Sequence, residues 1–149
     1  MLKNNDQFDI AIVGGGMVGA TLAAALGGSH YKVAVIEAFP FGSDAQPSYD
    51  DRSIALSFGS RKILQQMGLW NALEALTEKI STIHISDRGY FGATRIRAEE
   101  EGVDALGYVI TNRDIGGVLM PHLASLKNVE MICPASVTAL EQQEKSIAL

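Results

Sequence analysis

Residues 8–28 read FDIAIVGGGMVGATLAAALGG, and the fold turns on this stretch. Phe8 to Val13 is a short apolar run with the character of a buried strand. Met17 to about Gly28 is alanine-rich and helical in pattern, with Val18, Leu22, Ala25 and Leu26 along one stripe. Between the two stand Gly14, Gly15 and Gly16, and Gly19 follows three residues on. The next apolar, β-branched run, YKVAVIE over residues 31–37, is a second strand. Strand, tight turn, helix and strand make a βαβ unit, which implies a parallel sheet and a right-handed crossover.

The glycines have mechanical readings. Gly14 permits the tight turn, Gly16 lets a diphosphate approach the bare main chain, and Gly19 lets the helix pack closely on the strands. The first helical amides, with Met17 and Val18 leading the helix, then face the phosphates along a helix dipole that favours negative charge. Glu37 ends the second strand 18 residues beyond Gly19, near the expected place of a ribose-binding acid. Its carboxylate suits ribose hydroxyls and repels a 2′-phosphate, which disfavours NADP at this site. NAD and FAD present the same ADP half, so the spacing leaves both open.

Composition narrows the classes. The chain has 149 residues, 47% hydrophobic and 19% charged, with a net charge of −5. That is enough to build a core, and with no basic patch it gives no support to nucleic-acid binding. The apolar stretch from Ile10 to Ser29 is broken by glycines and does not read as a membrane span. The polar start MLKNNDQFD is unlike a secretory signal, and the single Cys133 allows no internal disulfide. A reducing cytoplasm fits these features.

Further along, AFPFGSDAQPSYDD (38–51) reads as a loop. FGSRKILQQMG (58–68) and LWNALEALTEK (69–79) read as two short helices, with Trp70 anchoring the start of the second. ISTIHISDRGYFGATRIRAEE (80–100) alternates around Asp87-Arg88-Gly89 and reads as a hairpin. After LGYVIT, a helix capped by Thr111 or Asn112 is expected, with Asp114 in its first turn and Pro121 kinking or shortening it. NVEMIC is a strand ended by Pro134, and residues 135–149 begin another hairpin. His30, His84 and His122 show no metal-ligand spacing. Cys133 reads as a buried structural thiol.

The motifs DIAIVGGGMVGATLA, DRSIALSFGS, MGLW, HISDRG, LGYVI and VEMICPASV occur in this order. Together they resemble the class A flavoprotein monooxygenases, and within them the aromatic-ring hydroxylases of ubiquinone biosynthesis. The resemblance implies an α/β fold: a Rossmann-like FAD/NAD(P)-binding domain with a parallel sheet, plus the beginning of an antiparallel substrate-domain sheet. It implies FAD as cofactor, NAD(P)H and O₂ as co-substrates, and hydroxylation of a polyprenylated phenol. It places Arg52, with Ser53 beside it, in a loop that reaches the cofactor, and Arg113 at the start of a helix beside the ribityl and phosphate portion. It also sets the backbone near Val137 against the adenine. After Arg113 the wider pattern expects regularly spaced leucines, where this chain has RDIGGVLMPHL. The alternative readings are a surface Arg52 paired with Asp50 or Asp51, a surface Arg113 near a helix N-terminus, a buried strand valine at Val137, and a ligand-free glycine turn with Glu37 merely ending its strand.

On that resemblance, residues 1–79 form the FAD-binding βαβ unit and following helices, 80–111 the first part of the substrate-domain sheet, and 112–149 a truncated return to the FAD-binding domain. Two further FAD motifs of the family are missing, so the chain reads as the N-terminal part of a longer enzyme, improbable as a hydroxylase by itself. A prenylated substrate implies contact with a membrane surface, peripheral to its inner face, or with other proteins of the pathway. The competing readings are another FAD oxidoreductase of the reductase type and a non-catalytic NAD-binding module. Arg52 separates the second of these, since an NAD module has no need of it.

Overall fold

The computed structural model describes residues 7–40 and 51–149. In chain order the elements begin with β1 (Ile10–Val13), α1 (Met17–Ala25), β2 (Val33–Ile36), β3 (Ser53–Ser57), α2 (Phe58–Gln66) and α3 (Trp70–Glu74). They continue with β4 (Glu78–Ile80), β5 (Thr82–Ser86), β6 (Ala93–Arg97), β7 (Gly107–Thr111), α4 (Asn112–Ser125), β8 (Val129–Ile132), β9 (Glu141–Gln142) and β10 (Ile147–Ala148). The described residues group into two compact units, one of residues 7–40 and 116–149, the other of residues 51–115. The dividing point at 115/116 falls within α4.

In the first unit the described strands form a parallel sheet in the order β1-β2-β8. Ile10 aligns with Val33 and Val13 with Ile36, and β2 then aligns Val33 with Val129 and Ile36 with Ile132. All four residues of β2 are buried, as expected of a strand flanked on both edges. Residues 135–149 close as the expected hairpin, β9 against β10.

The sequence stripe assigned to α1 faces the wrong way. Val18 is 77% exposed and Leu22 50%, while Ala20, Ala23 and Ala24 are buried. The cause is the turn. A Cβ at Gly19 would run into the carbonyl oxygen of Gly14, so the helix lies so close to β1 that only small residues fit between them. Close approach, not apolar bulk, decides the buried face.

In the second unit the described strands pair antiparallel, β3-β7-β4 and β5-β6. The β5–β6 hairpin turns at Asp87–Gly92 as its alternation foretold, pairing Ile83 with Ile96. SIALS, which sequence left unassigned within its motif, is strand β3, paired from Ser53↔Thr111 to Ser57↔Gly107. Residues 69–79 are not one helix. Thr77 Oγ1 donates to the carbonyl of Glu74 at 2.9 Å, the helix stops, and β4 pairs Lys79 with Tyr108. Trp70 is buried at the start of α3, edge-on to Tyr108 at 4.7 Å between ring centres.

Helix α4 runs through Pro121 to Ser125 without stopping. Proline clashes with the carbonyl four residues back, here Gly117, whose backbone is the most adaptable. Thr111 is the cap: its Oγ1 accepts from the Asp114 N–H at 3.1 Å and donates to Asp114 Oδ2 at 2.6 Å. Cys133 is half-buried instead of buried, with Sγ donating to the Phe39 carbonyl at 3.2 Å. Most of the loop assigned to residues 38–51 lies outside the described residues.

Candidate functional site

The first unit holds the glycine turn. Gly14 has φ +100, a left-handed conformation that a side chain would strain, and its N–H donates to the Ile36 carbonyl at 2.8 Å. The turn is thereby tied to the end of β2, where Glu37 begins. Glu37 is 8% exposed. Its Oε2 accepts from the Gly15 N–H at 2.7 Å and its Oε1 from the Phe39 N–H at 2.9 Å. Sequence reasoning gave Glu37 either to a ligand or to the mere end of a strand. The structure shows that it also fastens the turn, and that the Gly15 amide is engaged with it.

Gly16 occupies the N-cap of α1 with an extended backbone, and the first intrahelical bond runs from Ala20 N to Gly16 O at 2.8 Å. The amides of Gly16, Met17 and Val18 precede that bond and have no intrahelical acceptor. The cap residue has no side chain to accept from them, and the first turn carries no acid. Of the other helices, α2 and α4 are capped by their own side-chain oxygens, from Ser57 and Thr111, and the short α3 starts at Leu69 with no side-chain cap. A close-packed turn with outward amides and a buried acid beside it fits an adenine dinucleotide: diphosphate oxygens on the amides, ribose hydroxyls at Glu37.

Val137 is half-buried, two residues beyond Ala135, whose N–H donates to the Glu37 carbonyl at 2.8 Å. The strand exit thus runs beside the acid, in the same unit as the turn.

The second unit gathers the arginines. Arg52 leads into β3, and its carbonyl accepts from the Asn112 N–H at 2.9 Å. Ser53 faces Thr111 across the β3–β7 ladder. Arg113, next along α4, donates through Nε to Asp51 Oδ1 at 2.7 Å. Arg52, Ser53 and Arg113 therefore share one end of the same ladder, although 60 positions separate the segments. Asp51 pairs with Arg113, a contact that sequence reasoning missed, because nothing in the spacing links residues so far apart. The alternative pairing of Arg52 with Asp50 lies outside the described residues. Among the described residues no group of three metal-ligating side chains comes together.

Residues 7–148 match the family described as FAD binding domain. The chain belongs to the FAD-binding-domain family. This decides between the two dinucleotides that the glycine spacing left open. The FAD-binding-domain chain is 33% identical over 141 residues to ubiquinone hydroxylase UbiM of Neisseria meningitidis, covering 91% of this chain and 31% of the relative. It is 32% identical to 3-demethoxyubiquinol 3-hydroxylase of Escherichia coli, covering 94% of the chain and 36% of the relative. The chain thus spans about a third of the length of the curated relatives it matches. Among solved structures it superimposes on p-nitrophenol 4-monooxygenase PnpA of Pseudomonas putida with TM-score 0.73 at 20% identity, covering 93% of this chain and 34% of that one. It superimposes on the flavin-dependent monooxygenase PieE, solved with FAD and substrate, with TM-score 0.76 at 16% identity, covering 97% and 27%. These likenesses establish the fold: α/β, with a parallel sheet and antiparallel sheets.

Proposed function

We propose that the protein carrying this chain is an FAD-dependent monooxygenase that hydroxylates a polyprenylated phenol in ubiquinone biosynthesis, with NAD(P)H and O₂ as co-substrates. The observation that carries this reading is the likeness to ubiquinone-pathway hydroxylases over nine-tenths of the chain. FAD, when bound, supplies the oxidation–reduction chemistry. The chain's own residues bind and orient. The amides of Gly16, Met17 and Val18 take the diphosphate, on a turn that Gly14, Gly15 and Gly19 shape. Glu37 accepts from the ribose hydroxyls while holding the Gly15 amide. Arg52, Ser53 and Arg113 offer donors to the phosphate and flavin oxygens, and the backbone at Val137 lies against the adenine.

Residues 80–111 belong, in this reading, to the substrate-domain sheet, and residues 1–79 and 112–149 to the FAD-binding domain. No helix among the described residues is long and apolar enough to cross a membrane. A polyprenyl tail partitions into lipid, so the enzyme would meet its substrate at a membrane surface, docked at the inner face or beside other proteins of the pathway.

The test is to express the complete reading frame, purify the protein and record its visible spectrum. Bound flavin, reduced anaerobically by a nicotinamide and reoxidised with hydroxylation of a short-tailed prenylphenol, is the expected result. A colourless protein that binds NAD at the glycine turn would end the reading. A yellow protein that consumes no O₂ with any prenylphenol would move it to the reductase type.

A further inference from the structure

We infer that Asp51 is a positioning residue of the cofactor site, acting through Arg113. The inference rests on the FAD reading above and names a group which that reading leaves out. Asp51 precedes Arg52, and the backbone that follows it is anchored twice: Ser53 is laddered to Thr111, and the Arg52 carbonyl holds the Asn112 amide. From that fixed point the carboxylate meets Arg113 at Nε, 2.7 Å away. A contact at Nε, unlike one at the terminal nitrogens, sets rotation about the Cδ–Nε bond. It therefore sets the plane in which the guanidinium presents its forked donors to an anion. Half of the Arg113 side chain stays exposed.

A stabilising role explains this pair poorly. Asp51 is 80% exposed, and ion pairs so placed add little to folding. Charge alone predicts the opposite sign. A lone carboxylate near a diphosphate repels it, so a purely electrostatic Asp51 would weaken cofactor binding and its neutralisation would strengthen it. If Asp51 instead orients Arg113, its neutralisation loosens the cofactor. The sign of one substitution separates the two.

The experiment titrates FAD into the apoprotein made from the complete reading frame, following flavin fluorescence. It compares wild type with Asp51→Asn, Asp51→Glu and Arg113→Ala, and Asp51→Asn combined with Arg113→Ala. The expected result is a Kd raised roughly two- to fivefold by Asp51→Asn, the range of an exposed charged pair. Asp51→Glu should recover part of the loss, with apoprotein unfolding midpoints unchanged across the set. In the Arg113→Ala background Asp51→Asn should raise Kd no further. An unchanged or lowered Kd for Asp51→Asn, or the same loss with and without Arg113, overturns the inference while leaving the FAD reading intact. Failure of the wild type to bind FAD overturns both.

Discussion

At the scale of single residues, the glycine turn and Glu37 form one unit, and their substitutions have separable effects. Glu37→Ala removes the acceptor of two main-chain amides in a buried setting. Leaving such donors unpaired costs about 1–3 kcal/mol of stability, beyond any loss of cofactor. Glu37→Gln keeps an acceptor oxygen and the shape. Its amide nitrogen replaces one of the two accepting oxygens, so it should recover only part of that stability, and it should raise the Kd for FAD about tenfold, since hydrogen bonds to a charged acceptor are worth about 1.5–3 kcal/mol. Denaturant unfolding of the apoprotein alongside FAD titration checks both, and equal affinity for Gln and wild type would remove Glu37 from the ribose. The glycines differ in kind. Nothing lies within 4 Å of a Cβ built on Gly14, so Gly14→Ala meets only the strain of a φ of +100, roughly 1–2 kcal/mol. Gly19→Ala drives a methyl into the Gly14 carbonyl and must move the helix or the turn. It should fail to retain FAD, while Gly14→Ala retains it with a lowered midpoint; a Gly19→Ala protein with wild-type affinity would show that the close approach is dispensable.

At the scale of elements, sequence pattern served well where the signal is local and failed where the partner is distant. The βαβ unit, the β5–β6 hairpin, β8, the Thr111 cap and the closing hairpin each carry their own turn or cap chemistry, and each stands where expected. β3 and β4 do not, because a five-residue strand such as SIALS is defined by β7, at least 50 positions away, and no local period announces that. The buried face of α1 was misread for a related reason: apolar bulk is a local signal, whereas the approach of Gly19 to Gly14 is a tertiary one. Asn128 illustrates the same limit. At the entrance to β8 its Nδ2 donates to the carbonyls of Leu26 and Tyr31, both at 3.0 Å, and its Oδ1 accepts from the Gly28 amide at 3.0 Å. One amide side chain thus ties the α1–β2 connection to the third strand of the sheet, a role invisible in NVEMIC. Asn128→Ala strips partners from three main-chain groups that water reaches in part. It should cost about 1–2 kcal/mol in urea unfolding. Asn128→Asp keeps the acceptor but sets a carboxylate oxygen against the two carbonyls, and should cost at least as much. An Asn128→Ala protein as stable as wild type would mean that the connection is held by its backbone alone.

At the scale of the whole molecule, the buried phenol of Tyr108 makes stability depend on pH at both ends. Tyr108 is fully buried against Trp70, and its hydroxyl donates to Asp104 Oδ2 at 3.0 Å. Burial pushes the phenol above its ordinary value, and the hydrogen bond to Asp104 adds to that shift. The same hydrogen bond, with help from Lys79 3.3 Å away, holds the Asp104 carboxyl below its ordinary value. The signs follow from linkage. A phenol whose folded pKa is raised contributes stability fully present below the unfolded value of about 10 and lost as pH rises through the folded one, because only the unfolded chain releases its proton in that interval. A carboxyl whose folded pKa is lowered contributes stability present above the unfolded value of about 3.9 and lost as pH falls through the folded one. Tyr108→Phe removes the hydroxyl with almost no change of volume, and so removes one cause of each shift. Relative to wild type, the Phe variant should be less stable near neutrality, and the gap should narrow both above pH 10 and below pH 4. Urea unfolding from pH 3 to 11 reads this as two curves that converge at the extremes. Parallel curves would show that the Tyr108 hydroxyl does not set the ionisation of either group, and that the Asp104–Lys79 pair carries the acid limb by itself.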